Sequence, residues 1–468
     1  MTTINFATRP GNMLKEIRDF IPMFVATLSI SSISCCLITL SLGTTIAGAQ
    51  LPTGPAAEQF SVLGGFQMAL TIMAILFCVP TIIRLAVEED SRRIALWQVI
   101  GASPTTARLR YVTLACLAAI IGCVLGSVLA MSLWDFYIVL IQKTGLLPAD
   151  SGYIHQSIWA IVFAPITSLL TVVLPLVLTT RSLLKLDPVI AVNGPLANPA
   201  ERQWVRYLFS FLVTGGMIAS YIAISKVPIT TSSEILSGLI SAYWGIGLGL
   251  LLAFGISSKA IVKSTITFIG LFRPFNIFES WMIAFTSAKR RAFRSTAFIT
   301  PLVLAATSVG LVFGMIAQTR NVMFAIGASE ESLQVSPSSQ ILLIFSTPVI
   351  LAAASGVLAV YLTNRSRVHD IALLQILGCK PSTITLAAFL ESLIYLLVAS
   401  LISTAILFIN SLAMGLALSA GPVPDTQSSG IPLETYILLT AGFLLITLFT
   451  EISTLIQSRS LNMQAIVR

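Results

Sequence analysis

Charged residues are scarce in this sequence. Asp, Glu, Lys and Arg together make up 10% of its 468 residues, whereas 56% are hydrophobic, a balance that cannot coat a soluble domain with charge. The mean hydropathy of +0.92 excludes an ordinary cytosolic fold. Several apolar runs exceed the roughly 18 to 20 residues that a helix needs to cross a bilayer, and none alternates as the strands of an outer-membrane barrel do. We therefore expect an all-α polytopic membrane protein.

The chain also lacks the residue groups on which common enzymes depend. It has two histidines, His155 and His369, and no grouping that resembles a hydrolytic triad or a metal site. The loop G-x-x-x-x-G-K-[ST], whose backbone amides and lysine hold nucleotide phosphates, does not occur. We predict that this chain is not an enzyme and binds no cofactor or metal of its own.

Ten apolar segments have the length of membrane spans. Because basic residues near span ends are retained in the cytoplasm, the distribution of Lys and Arg indicates the topology. Both tails and the even-numbered connections hold 24 of the 27 basic residues, so both termini are predicted to lie in the cytoplasm. The net charge of +8 then reflects contact with anionic lipid headgroups rather than with nucleic acid. The predicted spans are 21–47, 63–84, 110–133, 157–180, 205–225, 236–257, 295–317, 341–363, 384–410 and 433–456.

One stretch of the sequence occurs twice. IALWQVIGASPTTARL at 94–109 aligns without gaps with IALLQILGCKPSTITL at 371–386, and eight of the sixteen positions are identical. Each copy lies between the second and third spans of a four-span unit. An even number of spans separates the copies, so both units insert in the same orientation. We predict two parallel four-helix repeats, 1–195 and 275–468, joined by a two-helix linker at 196–274.

Each copy has the pattern of a short amphipathic helix that a glycine ends and a proline follows. Its apolar stripe could lie in the membrane surface, or it could insert into a groove on a soluble partner while charged residues form a polar rim. We favour the partner. The residues concerned are Arg92, Arg93, Ile94, Leu96, Trp97, Ile100, Gly101 and Pro104 in the first copy, and Arg367, Asp370, Ile371, Leu373, Leu374, Leu377, Gly378 and Pro381 in the second.

The pattern IAL-x-Q-x-x-G-x-x-P before a long apolar span resembles the cytoplasmic signature of FtsX-like or MacB-type permeases of ABC transporters. DPVIAVNG at 187–194 and LNMQAIVR at 461–468 resemble the ends of the family's repeats. The resemblance implies that each segment is a coupling helix seated in a separate cytoplasmic ATPase. Two copies of that ATPase are expected, and they would bind ATP and Mg²⁺.

The sequence departs from the family pattern in three respects. Asp370 supplies the acidic residue that usually precedes IAL, but Arg93 occupies this place in the first copy. Glu391 fits the pattern in the ninth span, whereas Leu114 stands at the matching place in the first repeat. The predicted external connections have only about 10 to 23 residues, too few for the folded extracytoplasmic domain of many relatives.

The resemblance implies a permease that expels an amphipathic compound from the membrane by mechanotransmission. A drug, an antimicrobial peptide, a haem-like molecule and a lipid all remain open as cargo. One alternative is a mechanotransmitter that moves no cargo and controls a cell-wall hydrolase or a sensor kinase. Another is an ion-coupled secondary transporter, which the sparse intramembrane charge disfavours.

Some residues within the spans have two interpretations. Glu391 and Glu451 are expected to form structural hydrogen bonds between helices near the membrane interface rather than to serve a proton or a substrate. The pairs Gly122–Gly126 and Gly245–Gly249 favour close helix packing, although the first pair could instead form a moving interface between the halves. We expect five residues to anchor the chain at the membrane interface rather than line a substrate pocket. They are Trp134, Asp135, Tyr137, Tyr243 and Trp244.

Overall fold

A computed structural model describes most of the chain, and all regular structure in the described residues is helical. These residues are 20–50, 55–99, 101–143, 155–181, 211, 215, 233–270, 279–290, 292–325, 338–419 and 433–460. The helices are α1 (Ile21–Gln50), α2 (Pro55–Val99), α3 (Pro104–Lys143), α4 (Ile158–Thr180), α5 (Ser233–Ile269), α6 (Glu279–Arg290), α7 (Ala292–Ala325), α8 (Ser338–Ile376), α9 (Pro381–Ser419) and α10 (Leu433–Ser460).

Nine of these helices are long and apolar enough to cross a membrane. They confirm the multi-pass helical fold and agree with nine of the ten predicted spans. The remaining predicted span, 205–225, lies almost entirely outside the described residues, so the count of ten stays a prediction. Helix α6 was not predicted. It is a 12-residue amphipathic helix directly before α7, with Ala284 and Ala288 on its buried face.

The spans form two bundles, each built around its first helix. Helix α1 contacts α2, α3 and α4, and α7 contacts α8, α9 and α10. Helix α5 packs on α7 and α9, and α2 meets α8 between the bundles. We call the contact between α2 and α8 the seam. A central position explains why the membrane segment of α7 is 83% buried while that of α4 is only 22% buried.

Helix ends recur at the offset of 277 residues that relates the two sequence copies. Helix α2 ends at Val99 and α8 at Ile376, while α3 begins at Pro104 and α9 at Pro381. The division into 1–195, 196–274 and 275–468 stays a prediction, because both proposed boundaries lie outside the described residues.

Two glycines allow α3 to approach α1 closely. A Cβ atom on Gly126 would lie 2.3 Å from the backbone oxygen of Ser32, and one on Gly122 would lie 2.5 Å from the backbone oxygen of Leu28. Both contacts are within the first bundle. The packing interpretation of this glycine pair is therefore correct, and a moving interface between the halves is wrong, since α1 and α3 belong to the same half.

Gly245 of the second glycine pair does not make the predicted close contact. A Cβ atom on Gly245 would meet no heavy atom within 4 Å, whereas one on the intervening Gly247 would lie 2.5 Å from the Leu311 side chain on α7. The helix turns by about 100° per residue, so glycines two residues apart face different surroundings. Here Gly247 makes the close approach.

Replacing Gly126 with alanine should therefore destabilise the protein. The new methyl group meets backbone on α1, which cannot rotate away, so we expect a loss of about 1–3 kcal/mol in the free energy of unfolding. The measurement is the thermal unfolding of the purified protein in detergent. Gly245→Ala is the control, and it should leave the midpoint unchanged or slightly raised. Equal destabilisation by both variants would contradict the packing described for α1 and α3.

Candidate functional site

Each repeated segment follows the second span of its bundle. It lies at the end of that span that the distribution of charge predicts to face the cytoplasm. The two segments are not separate short helices, as the sequence pattern had suggested. Helix α2 runs without interruption through its span, Gln67–Asp90, to Val99. Helix α8 continues in the same way from its span, Ser346–Thr363, to Ile376. The reason is local: no glycine or proline separates the span from the repeated segment in either copy.

The first hairpin, α2 and α3, turns at a glycine in the left-handed conformation. Gly101 has φ = 106°. The backbone amide of Ala102 donates to the Trp97 carbonyl at 2.9 Å, and that of Gly101 donates to the Gln98 carbonyl at 3.0 Å. These two bonds form a Schellman motif, which satisfies the last carbonyls of α2. Pro104 then begins α3, where its missing N–H costs nothing.

The second hairpin, α8 and α9, turns in the same way. Gly378 has φ = 87°. The amide of Cys379 donates to the Leu374 carbonyl and that of Gly378 to the Gln375 carbonyl, both at 3.0 Å. Pro381 begins α9. The prediction that a glycine ends the helix in each copy is thus confirmed, and the two turns share one hydrogen-bonding pattern.

Burial divides the predicted apolar stripe into two parts. Ile94 and Ile371 are buried, and Ile94 belongs to the main hydrophobic core. Trp97 is half-buried and meets Phe20 edge-on, with 5.0 Å between ring centroids. The structure therefore does not favour Ile94 and Ile371 as contacts to a partner, because a partner cannot reach them.

Aromatic and polar contacts hold the base of the first hairpin. The Phe20 ring also lies edge-on to Tyr111 of α3, at 5.6 Å between centroids. The Tyr111 hydroxyl donates to Oδ2 of Asp90 on α2 at 3.4 Å, and both residues are buried. These contacts join the start of α1 to both helices of the hairpin, so the hairpin and α1 should move as one unit.

The accessible apolar side chains lie on the other face of each segment. In the first copy they are Leu96, 45% exposed, and Val99, 60% exposed. In the second they are Leu373, Ile376 and Leu377, which are 47%, 60% and 79% exposed. We call these sets the first and second ridges. Leu96 and Leu373 occupy equivalent positions, as do Val99 and Ile376.

Val99 and Ile376 were missed in the sequence analysis. The signal was present, because Leu96 and Val99 are three residues apart, as are Leu373 and Ile376, and such pairs share a helix face. Two apolar faces were available, and only packing decides which one is buried. Ile100 lies outside the described residues, and Arg93 and Leu374 are half-buried. Arg92, Arg367 and Asp370 lie on the helices, but their side chains are outside the described set.

The base of the second hairpin is built differently. The Tyr395 hydroxyl donates to Oε1 of Glu391 one turn away on α9, and it accepts a hydrogen bond from Ser295 Oγ of α7 at 3.4 Å. The Phe298 ring stacks on Tyr395 at 5.5 Å. Glu391 thus accepts a hydrogen bond within α9, whereas the prediction was a hydrogen bond between helices, which this contact does not test. The two hairpins have similar turns but different supports.

A polar contact also crosses the seam at the far end of α2. Gln67 accepts a hydrogen bond from the Tyr137 hydroxyl at 2.7 Å and donates to Thr347 Oγ1 of α8 at 3.1 Å. All three side chains are buried. The sequence analysis did not single out Gln67, although a glutamine within an apolar helix was the available signal.

The aromatic residues considered for a substrate pocket are mostly core residues. Trp134, Tyr137, Tyr243 and Trp244 are all buried, whereas Asp135 is exposed. The interface-anchor interpretation therefore does not describe the four aromatic residues, because their rings pack between helices.

The division between buried and exposed faces is testable by a pair of substitutions two residues apart. Ile94→Asp places a carboxylate in the core without a partner and should lower the free energy of unfolding by about 3–5 kcal/mol. Leu96→Asp places it on the exposed ridge and should change stability by less than about 0.5 kcal/mol. Thermal unfolding in detergent measures both. The opposite ranking would show that the face assignment is reversed.

Residues 65–188 match the family model described as FtsX-like permease C-terminal. The matched region begins within α2 and covers the rest of the first hairpin and α4. No curated protein matches the chain. Permeases of this family are generally paired with an ABC ATPase. Residues 65–188, less than half of the chain, are therefore similar to the C-terminal domain of FtsX-like permeases.

Proposed function

We propose that this chain is a pseudo-dimeric permease driven by two copies of a separate cytoplasmic ABC ATPase. One chain supplies both transmembrane halves, and each ATPase seats one ridge in an apolar groove. The ATPases bind ATP and Mg²⁺ and perform the hydrolysis. The observation that carries the proposal is the pair of hairpins whose turns share one hydrogen-bonding pattern and whose exposed ridges occupy equivalent positions.

Continuity of the helices favours a partner over the membrane surface. A helix that lies flat in the headgroup layer must be separated from its span by a break or a sharp kink. Nine residues separate the end of the α2 span at Asp90 from Val99, which is about 14 Å along the helix axis. Thirteen residues separate Thr363 from Ile376 in α8, or about 20 Å. Both ridges should therefore project away from the bilayer.

The same continuity supports mechanical transmission. About 44 Å of unbroken helix separates Leu96 from Gln67 in α2, and α8 likewise carries the second ridge and Thr347. Closure of the ATPases would push the ridges together and tilt α2 against α8. The outer end of the seam, where Gln67 meets Thr347, would then change shape. Pro80 is the one proline between these ends of α2 and a place where the helix can bend.

The proposed cargo is an amphipathic compound expelled from the membrane. The short external connections leave little structure to grip a large extracellular enzyme. A seam between two bundles can instead open laterally to the bilayer, where a drug, antimicrobial peptide, haem-like molecule or lipid partitions. These compounds share an apolar body and a polar end, which suits entry from the lipid side.

Charges on the ridges should abolish ATPase binding without unfolding the permease. We expect the double variant Leu96→Asp/Ile376→Asp to reduce co-purification of the ATPase encoded beside this gene at least about tenfold, because an aspartate in an apolar groove is left without a partner. Leu433→Asp is the matched control: Leu433 is 70% exposed and lies at the predicted outer end of α10. Unchanged association in the double variant would reject the ridges as the ATPase seats.

Transport and signalling predict different activators of the ATPase. The permease and its ATPase are reconstituted in lipid nanodiscs, and ATP hydrolysis is measured with amphipathic compounds and, separately, with a cell-wall hydrolase or a sensor kinase. Stimulation of at least about twofold by a compound, lost in the ridge double variant, is the expected result for mechanical coupling to cargo. Stimulation by the hydrolase or kinase alone would favour the non-transporting alternative.

A further inference from the structure

A cavity of about 270 Å³ lies between α2, α5 and α7, at the ends of these helices predicted to face the cytoplasm. It is separate from both ridges. Two cationic residues line it, Arg84 of α2 and Lys259 of α5, and none of the described residues that line it is acidic. Four hydroxyl-bearing residues complete the polar part of the wall, and they are Thr81, Ser258, Thr296 and Thr300.

The cavity changes from apolar to cationic along the membrane normal. On α2 its lining begins with Leu76 and Phe77 and ends two turns later at Arg84, about 12 Å further along the axis. On α5 it begins with Gly255 and ends at Lys259. The two helices run in the same predicted direction, so both cations lie at the same end. A phospholipid has this order, with acyl chains toward the bilayer centre and phosphate at the interface.

One buried hydroxyl in the wall has no partner. Thr300 is 2% exposed, and its Oγ1 makes no hydrogen bond in the part of the chain that the structure describes. Most buried polar side chains are satisfied by protein or by bound molecules. Rotation of the Thr300 side chain would turn this hydroxyl toward the cavity, where it could bond a ligand, and the two lining cations indicate that this ligand is an anion.

The shape of the site limits the ligand further. Pockets that hold a whole drug-sized molecule range from about 300 to 1,000 Å³, so this cavity accommodates a headgroup and its glycerol rather than an entire lipid. Gly255 leaves room for the Phe77 ring, since a Cβ atom there would lie 1.9 Å from the ring. Glu88 follows Arg84 by one turn on α2 and offsets part of the Arg84 charge.

We propose that this cavity binds the phosphate headgroup of an anionic phospholipid from the cytoplasmic leaflet. Arg84 and Lys259 flank the phosphate, the Thr300 hydroxyl donates to one of its oxygens, and the acyl chains extend past Leu76 toward the bilayer centre. Basic pockets between membrane helices recognise lipids in this way. A zwitterionic headgroup is disfavoured because its ammonium group meets the same two cations. Since Pro80 lines the cavity, a bound lipid would contact α2 at the place where this helix can bend.

Lipid binding can be measured on the full chain in detergent without the ATPase. The probes are dioleoylphosphatidylglycerol, dioleoylphosphatidylcholine with the same acyl chains, and inorganic phosphate. We expect saturable binding of the anionic lipid by native mass spectrometry, together with a higher unfolding temperature. The zwitterionic lipid and inorganic phosphate should each have a much smaller effect.

Two lysines one turn apart on α5 provide a matched pair of variants. Lys259 lines the cavity, whereas Lys263 is exposed and lies outside it. Lys259→Gln should weaken binding of the anionic lipid about tenfold, because a charge-assisted contact is lost, and Lys263→Gln should leave it unchanged. Thr300→Val, which preserves the shape of the side chain, should weaken it about threefold. This variant keeps the test decisive if Lys259→Gln fails to fold.

Three results would overturn the proposal. Equal weakening by Lys259→Gln and Lys263→Gln would indicate general attraction to the basic surface. Equal binding of the two lipids would remove the role of the cations. A thermal shift reproduced by inorganic phosphate alone would assign the cavity to a free anion. None of these measurements involves the ATPase, so their failure is distinguishable from failure of the proposed coupling at the ridges.

Discussion

The structure depends on two helices, α2 and α8, that remain unbroken from the membrane to their exposed ends. In hydrocarbon each backbone amide and carbonyl must be satisfied within the protein, and a continuous helix does so without other partners. Extending the same hydrogen-bond ladder beyond the span costs little and yields a continuous connection, which in α2 can bend at Pro80. A displacement of a ridge can therefore be transmitted along the helix to the seam. The left-handed glycine at each turn then lets the chain return at once as the next span.

Close packing fixes these helices within their bundles. Helices α1 and α7 are central, and the glycines of α3 bring its backbone against α1. Such contacts suit a membrane interior. There the hydrophobic effect does not drive helices together, and van der Waals packing and interhelical hydrogen bonds stabilise their association. The bundles are joined across the seam by a buried hydrogen bond, Gln67 to Thr347. The seam is also a packed interface, because α2 contacts α8 about as extensively as α7 does within its own bundle.

The two hairpins combine similar turns with different supports. Phe20, Tyr111 and Asp90 hold the first, and Tyr395 with Glu391 supports the second. Their ridges also differ, since Leu377 adds a third exposed side chain to the second. In the proposed coupling, two identical ATPase copies would therefore meet unequal seats. In the proposed coupling, the unequal supports would let the two halves respond differently to the same displacement of their ridges.

The sequence by itself determined nine of the spans, the two repeated turns and the helical membrane class, because these depend on local properties: the length of an apolar run, the conformational freedom of Gly101 and Gly378, and the missing N–H of Pro104 and Pro381. It could not decide which apolar face of a repeated segment is exposed, since Ile94 and Leu96 are equally apolar and only the neighbouring helices bury one of them. It could not place Gly126 against α1, join Gln67 to Thr347, or gather Arg84, Lys259 and Thr300 around one cavity. These residues lie far apart in the chain, and only tertiary packing brings them together.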